Sequence, residues 1–476
     1  MDKTFYLTAA IPYVNAKPHL GHLLEWFQAD TIARYQRLLG KKVAFTCGTD
    51  ENSLKNIQAA QTIGQPIQEW LDEYATLFQE SFKRFNISLT HFRRGSDQHL
   101  HWPGVQQLWE RCVEADDMYQ KEYTGHYCVG CEAFYTEDEL VDGLCPTHQK
   151  APEVVTERNY FFRLSKYQQQ ITDLIVSNKL AIKDEHFKNE MLGFINQGLE
   201  DFSVSRSVER ARGVGVPVPG DPTQVMYVWF DALAIYLTAI GYGTDNDAFE
   251  TFWPAQTHII GKDILRFHAV YWIGMLLSAN LPTPESISVH GFITLNGQKM
   301  SKSLGNVVDP DQLVTQHGLE PIRYYLLRAI PTHGDGDYSQ ERFVDLYTAE
   351  LANGLGNLCS RVAKLAQKNE LAGVSFSQPF APEFTAAMDD GALDMGMDWI
   401  NQQIAATDAW LAQEKPWAQE VEQQRTLVKE AVGRVVSIIA HLSPFLPQTC
   451  DTLQSHFSQP KITALEPLFP RLTVQN

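Results

Sequence analysis

The sequence predicts an α/β domain, interrupted by a small metal-pinned insertion and followed by an all-helical C-terminal part. Three observations predict it. The first ~115 residues alternate strand-like and helix-like runs, the signature of an α/β layer. From about Tyr119 to Ser203 the texture turns acidic and aromatic and carries a Cys/His cluster. From about Leu346 onward only helical periodicity remains.

Taken in order, "TFYLTAAI" reads as a strand ending at Pro12. Pro18 to Leu39 reads as a long amphipathic helix, with Pro18 suited to its first turn. "KVAFTCGTD" reads as strand and then loop, with helical periodicity around Ile57–Ile63 and Trp70–Phe85. Strands return at "QVMYVWF" and "THIIGKD", each followed by helix-like sequence. "FITLNGQ" reads as a hairpin turned by Asn296-Gly297. Leu351–Leu365, Ala386–Leu411 and Arg425–Leu442 read as bundle helices, with a linker around Gly373–Pro382. The resulting division is 1–115 and 225–290 for the two halves of the α/β domain, 116–224 for the insertion, 291–348 for a loop region and 349–476 for the bundle.

A chain of 476 residues is long enough for several domains and a sizeable core. Its net charge of −18 argues against a non-specific nucleic-acid coat, although a local basic track remains compatible with it. Met1-Asp2-Lys3 runs straight into the first strand, without a signal-like apolar region. The most apolar longer window, Val225–Ile240, is too short to span a bilayer and carries Asp231 in its middle. The expectation is a cytoplasmic protein with no membrane partner. Cys47, Cys112, Cys359 and Cys450 are scattered and read as small core hydrophobes.

The other three cysteines cluster. Cys128-x2-Cys131 is followed after thirteen residues by Cys145-x2-His148. Two tight ligand pairs at that separation can close a tetrahedral shell around one zinc ion. Four protein ligands leave no open position, so the expected site is structural. The alternative, two chance pairs of buried residues, is disfavoured by the polar sequence between them.

Two short cationic stretches stand far apart in the chain. In "PHLGHLLEW", His19 and His22 are three apart and share a helix face, while Gly21 lets a ligand approach the backbone. A helix N-terminus after a first strand is where α/β folds bind phosphates. Alone, the pair reads as readily as one capping and one solvated histidine. In "KMSKSLGN", Lys299 and Lys302 can swing onto a polyphosphate and offset charge on departing pyrophosphate. Alone, two lysines on a loop are an ordinary solvated surface.

Together the two motifs resemble those of class I aminoacyl-tRNA synthetases. "AAIPYVNAKPHLGH", "GTDEN", "YVWFDA", "HIIGKDILRFH" and "LANGLGNLCSR" further resemble the methionyl-tRNA synthetase family over essentially the whole chain. The knuckle resembles the family's one-zinc, single-knuckle form, with His148 where many relatives have cysteine. The resemblance implies a Rossmann-like catalytic domain, a connective insertion and a helical anticodon-binding bundle. It implies activation of L-methionine by ATP, with Mg2+, and transfer to the 3′ end of tRNA(Met).

The resemblance also implies roles by residue. His19, His22, Lys299 and Lys302 are the expected catalytic residues, and Gly21, Gly261, Asp263 and Ser301 join them around ATP. The methionine pocket takes Ile11, Tyr13, Asp50, Trp229, Ala232, Leu233, Tyr236, Ile264 and His268. Asp50 would accept the substrate ammonium, with Tyr236 and His268 presenting hydrogen bonds near the sulfur. Asn353, Asn357 and Arg361, four apart on a helix, and Trp417 are expected to read the CAU anticodon, with Lys364 and Lys368 adding positive charge. Trp229, Tyr13 and Trp417 read equally as core residues from chemistry alone, His268 as a satisfied core histidine, and the Asn/Arg stripe as a solvated face. Two positions depart from the family: Asn52-Ser53 stands where relatives usually have His-Gly, and Leu233 where some have proline.

Synthetases for leucine, isoleucine and valine carry a large editing insertion for which this chain has no room between His22 and Lys299. Cysteinyl-tRNA synthetase uses a catalytic zinc, unlike this closed knuckle. A non-catalytic tRNA-binding relative is disfavoured by the intact His and Lys pairs, and a small-molecule nucleotidyltransferase leaves the helical part unexplained. The chain ends at Asn476, soon after the bundle, from which a monomer is expected.

Overall fold

The computed structural model describes residues 4–128, 133–135, 137–146, 149–299, 308–376 and 379–472, with the backbone alone at 133, 134 and 299. The chain forms two compact units, residues 1–18 with 40–289 and residues 19–39 with 290–476.

The first unit is built on a six-stranded sheet. Its order is His91–Arg94, Lys42–Thr49, Thr4–Ala9, Thr257–Gly261, Ser286–His290 and Ala181–Ile182. Thr4–Ala9 pairs in parallel with both neighbours, with Leu7 opposite Phe45 on one side and Thr257 on the other. Every residue of Thr257–Gly261 is buried, as is all of Lys42–Thr49 except Lys42. Such continuous burial is what a parallel sheet covered on both faces requires.

The acidic, aromatic segment forms its own antiparallel sheet, in which Met118–Cys128 lies between Ala133–Tyr135 and Glu153–Phe162, and Phe202–Ser203 flanks the latter. A second sheet joins Pro217–Val218, Asp221–Met226 and Ser205–Ser207. This segment also returns Ala181–Ile182 to the edge of the central sheet, opposite Ser286 and Ile287. Two residues are too short for their sequence to announce a strand.

The strand expected through "QVMYVWF" ends at Met226. Tyr227 caps a helix, Val228–Thr238, in which every residue is buried. Val, Trp and Phe favour strands on propensity, but complete burial against neighbouring layers overrides it. The strand Thr257–Gly261 leads to a 3-10 turn, Lys262–Ile264, and then a π-helical turn, Phe267–Tyr271. Cys47 and Cys112 are fully buried here, as read from the sequence.

The second unit begins with the Leu20–Leu38 helix, whose N-cap is His19. Pro18, expected in the first turn, precedes the cap. Nor is the helix amphipathic: from Leu23 through Ala33 every residue is buried. The hairpin forms as expected, Leu295 pairing with Gln298. Asn296 and Gly297 both take positive φ, 50° and 74°, as a type I′ turn requires.

The helical part contains Val421–Leu442 much as expected, whereas the α-helix expected from Leu351 begins only at Asn357 and runs to Lys368. The helix expected over Ala386–Leu411 is two, Pro382–Asp390 and Leu393–Glu414, because Gly391 caps the first in a left-handed conformation. Tyr347–Gly356 is π-helical. The linker region lies in an irregular stretch tied down where Gly373 N–H bonds Gln459 O at 2.8 Å.

Arg323 is almost completely buried in the Leu319–Ala329 helix. It pairs with Asp30 of the Leu20–Leu38 helix at 2.7 Å and donates to Phe445 O at 2.6 Å and Pro444 O at 3.2 Å. A buried ion pair needs such extra bonds to offset desolvation. Among the described residues, no helix is long and apolar enough to cross a membrane.

Candidate active site

His19 and His22 cap their helix reciprocally. His19 Nδ1 accepts from Gly21 N–H and His22 Nδ1 accepts from His19 N–H, each at 3.1 Å. The rings lie 3.9 Å apart. A nitrogen that accepts carries no proton, so both neutral imidazoles hold theirs on Nε2. Burial, with His19 and His290 nearby, keeps His22 well below the usual histidine range. A Cβ added at Gly21 would stand 2.9 Å from the His19 ring, so the glycine makes room for that ring. The reciprocal bonds fix both rings at a helix N-terminus, a place suited to phosphate oxygens. Behind it, the buried Glu25 and His290 approach at 3.1 Å, a pair the sequence did not point to.

Within the first unit, several expected pocket residues come together. Tyr13 forms a parallel bridge with Asp50. Asp50 is buried, its N–H bonded to Pro12 O at 2.8 Å and its carbonyl to Asn56 Nδ2 at 2.9 Å. Tyr13 meets Trp229 edge-on at 6.4 Å, and Trp229 stacks on Phe267 at 3.8 Å. Ala232 and Leu233 are buried on the same helix as Trp229, and Ile11 and Ile264 pack against that core. Gly261 is buried and Asp263 exposed.

Tyr236 and His268 bond to each other at 2.9 Å, and His268 Nδ1 lies 2.9 Å from Ile264 O. A carbonyl only accepts, so Nδ1 carries the ring proton. Burial lowers the His268 pKa to about 4, so the ring is neutral and Nε2 accepts the Tyr236 proton. This differs from the expected donors to sulfur: both protons are spent within the protein.

Four further features were missed. Glu51 is fully buried and takes Arg94 through both oxygens, with Ser96 and Thr49. Ser53 caps the Leu54–Ile63 helix through Lys55 N–H, which accounts for one departure from the family. Asp231 joins Asn52 to His101. The lone acid in the apolar window Val225–Ile240 was the signal for it, since a buried carboxylate needs donors. Arg206 is buried against the rings of Tyr127 and Tyr227.

Ser301, Lys302, Cys131 and His148 lie outside the described residues, and Lys299 is described by its backbone alone, paired with Thr294. Cys128 and Cys145 are buried. Among the described residues, no group of three metal-binding side chains is assembled. Asn353 and Asn357 are exposed, Arg361 pairs with Asp408 at 2.7 Å, and Trp417 is 48% exposed.

Comparison with known proteins agrees with this geometry. The family described as tRNA synthetases class I (M) matches residues 5–151 and 147–363. The methionine--tRNA ligase of Brucella suis is 40% identical over 475 residues, covering 94% of this chain and 90% of that one. That of Thermotoga maritima is 37% identical, covering 94% and 74%. The solved methionyl-tRNA synthetase of Mycobacterium tuberculosis in complex with methionyl-adenylate superposes with a TM-score of 0.91 at 36% identity, covering 98% of this chain and 100% of that one. The chain belongs to the methionine--tRNA ligases, the methionyl-tRNA synthetases of class I.

Proposed function

We propose that this chain charges tRNA(Met) in two steps. A methionine carboxylate oxygen attacks the α-phosphorus of ATP, and pyrophosphate leaves with the electrons of the broken P–O bond. The terminal ribose hydroxyl of the tRNA then attacks the methionyl carbonyl, and AMP leaves.

The observation that carries this reading is the reciprocal histidine cap. It fixes both imidazoles at a helix N-terminus before negative charge grows on the α-phosphate, where fixed groups need no reorganisation. By the family resemblance, Gly21, Gly261, Asp263 and Ser301 are assigned to the nucleotide, and Lys299 and Lys302 to the departing pyrophosphate. Mg2+ enters with ATP. Asp50 takes the substrate ammonium, while Ile11, Tyr13, Trp229, Ala232, Leu233 and Ile264 enclose its side chain. The rings of Tyr236 and His268 offer polarizable contact to the sulfur, not N–H or O–H donors.

One zinc ion belongs with Cys128, Cys131, Cys145 and His148. Cys128 ends a long antiparallel strand and Cys145 opens a turn closed by Gln149 N–H at 2.8 Å. Both thiols are buried, within a polar stretch whose donor set suits zinc. The ion supplies a fixed cross-link to the insertion.

The bundle reads the anticodon through Asn353, Asn357, Arg361 and Trp417. A cavity of about 450 Å³ lined by Arg361, Lys364, Leu365, Gln367, Lys368 and Trp417 supports this, because it joins three cations to an exposed ring. An unpaired base stacks on such a ring and its phosphate meets the cations. The protein works in the cytoplasm as a monomer; a dimer mass in light scattering at micromolar concentration would overturn the latter.

The test is ATP–pyrophosphate exchange with each of the twenty amino acids, on wild type and Lys302→Ala. Exchange with methionine that collapses in the variant is expected. No exchange from folded protein would leave a tRNA-binding relative without catalysis.

A further inference from the structure

Asp231 is 2% exposed, in the first turn of the Val228–Thr238 helix. Its two carboxylate oxygens are taken from two different segments. Asn52 Nδ2 donates to Oδ2 at 2.5 Å and His101 Nε2 meets Oδ1 at 2.6 Å. Each partner is fixed in turn. The Asn52 amide also donates to Gly95 O at 3.1 Å, and His101 Nδ1 bonds the Thr238 hydroxyl at 2.7 Å. His101, fully buried, therefore grips the same helix at both ends, through Asp231 and Thr238.

What Asp231 joins matters more than how it is satisfied. Asn52 lies two residues after Asp50, on the loop assigned to the substrate ammonium. Trp229, Ala232 and Leu233, assigned to the methionine side chain, flank Asp231 on its own helix. One carboxylate thus spans two walls that grip different ends of one amino acid. An apolar residue would fill the space without fixing the distance between them. A carboxylate held by directional bonds on both oxygens fixes it.

We propose that Asp231 is a positioning residue for methionine, which through Asn52 sets the Asp50 loop against the Trp229–Leu233 wall. This rests on the assignment of those residues to the amino-acid pocket. Asn52 is then not a weakened site but the donor that completes the link where relatives usually have histidine.

The experiment is methionine-dependent pyrophosphate exchange on the full chain, with separate KM values for methionine and ATP. Asp231→Asn loses a carboxylate acceptor and should raise methionine KM at least tenfold, with ATP KM within about twofold. Asn52→Ala, at a half-buried loop position, should reproduce that split. Asn52→His restores a ring donor and should return methionine KM to within about threefold of wild type. A purely structural role would instead lower the amount of active enzyme and leave both KM values in place, which overturns the proposal. Equal rises in both KM values overturn it as well. If Asp231→Asn does not fold, the Asn52 pair decides by the same criteria. Wild type without methionine exchange overturns the pocket assignment itself, an outcome distinct from a wild type that exchanges while its variants keep their methionine KM.

Discussion

The Tyr236 hydroxyl donates its one proton to His268 Nε2 at 2.9 Å. With that proton directed at the ring, discrimination in the proposed methionine pocket rests on shape and ring contact. A hydrophobic pocket separates substrates differing by one methylene by about 1–3 kcal/mol. Norleucine and homocysteine should both support slow pyrophosphate exchange. Tyr236→Phe should keep the methionine-to-norleucine ratio of kcat/KM within about threefold, while leaving His268 Nε2 unsatisfied at a cost of about 1–3 kcal/mol in urea unfolding. A large drop in that ratio would show that the hydroxyl reads the sulfur.

Stability should fall in mild acid. Burial pushes His268 down to about 4, and holds His258 and His22 well below the usual histidine range. In the unfolded chain these rings take up protons near pH 6.5, while in the folded chain they stay neutral. The unfolded state therefore binds more protons as pH falls, and stability present above pH 6.5 is lost progressively below it. His268 alone should account for about 2 kcal/mol by pH 5. Urea midpoints at pH 7.5 and pH 5 measure the loss, and His268→Gln should flatten the dependence by its share.

Gly21→Ala separates activity from folding. The new methyl group meets the His19 ring at 2.9 Å and displaces it, while alanine suits a first helical turn better than glycine. Pyrophosphate exchange should fall by about 10²-fold, as for an ångström-scale misplacement, with Tm unchanged or slightly raised. An unchanged rate would mean that the His19 ring position does not matter.

Zinc should be found at one ion per chain by atomic emission. Cys145→Ser should remove it and open the insertion to limited proteolysis between about residues 128 and 150. Wild-type protein that is folded, active and zinc-free would rule the ion out.

Trp417→Ala should raise tRNA KM by about fivefold or more, since stacking on one base contributes about 1–3 kcal/mol. Aminoacylation at varied tRNA concentration measures it. An unchanged KM would return Trp417 to the surface of the bundle.

The alternation of strands and helices was legible in the sequence because buried parallel strands are continuous apolar runs between periodic segments. The Asn296-Gly297 turn was legible because few residues tolerate positive φ at both positions. Val228–Thr238 was misread at its start, because Val, Trp and Phe favour strands and only tertiary burial makes them helical. Pro18 pointed to a helix start and missed it by one role, since the histidine that follows is itself the cap. The Tyr236–His268 bond was invisible, because proton direction depends on a carbonyl four residues upstream. Asp231 was legible only as an anomaly: a lone acid in an apolar window demands donors but does not name them.

Arg323 turns the Leu20–Leu38 helix into a lever. Asp30, where the guanidinium grips, lies eleven residues from His19, about 16 Å along the axis at 1.5 Å per residue. A tilt of about 5° around that grip would swing the histidine tip by about 1.4 Å, comparable to the misplacement that costs a catalyst 10²-fold. The fulcrum is also anchored to the Pro444 and Phe445 carbonyls, just after the Val421–Leu442 helix. The angle of the helix that His19 caps is thus set by one guanidinium that it shares with the end of the bundle helix.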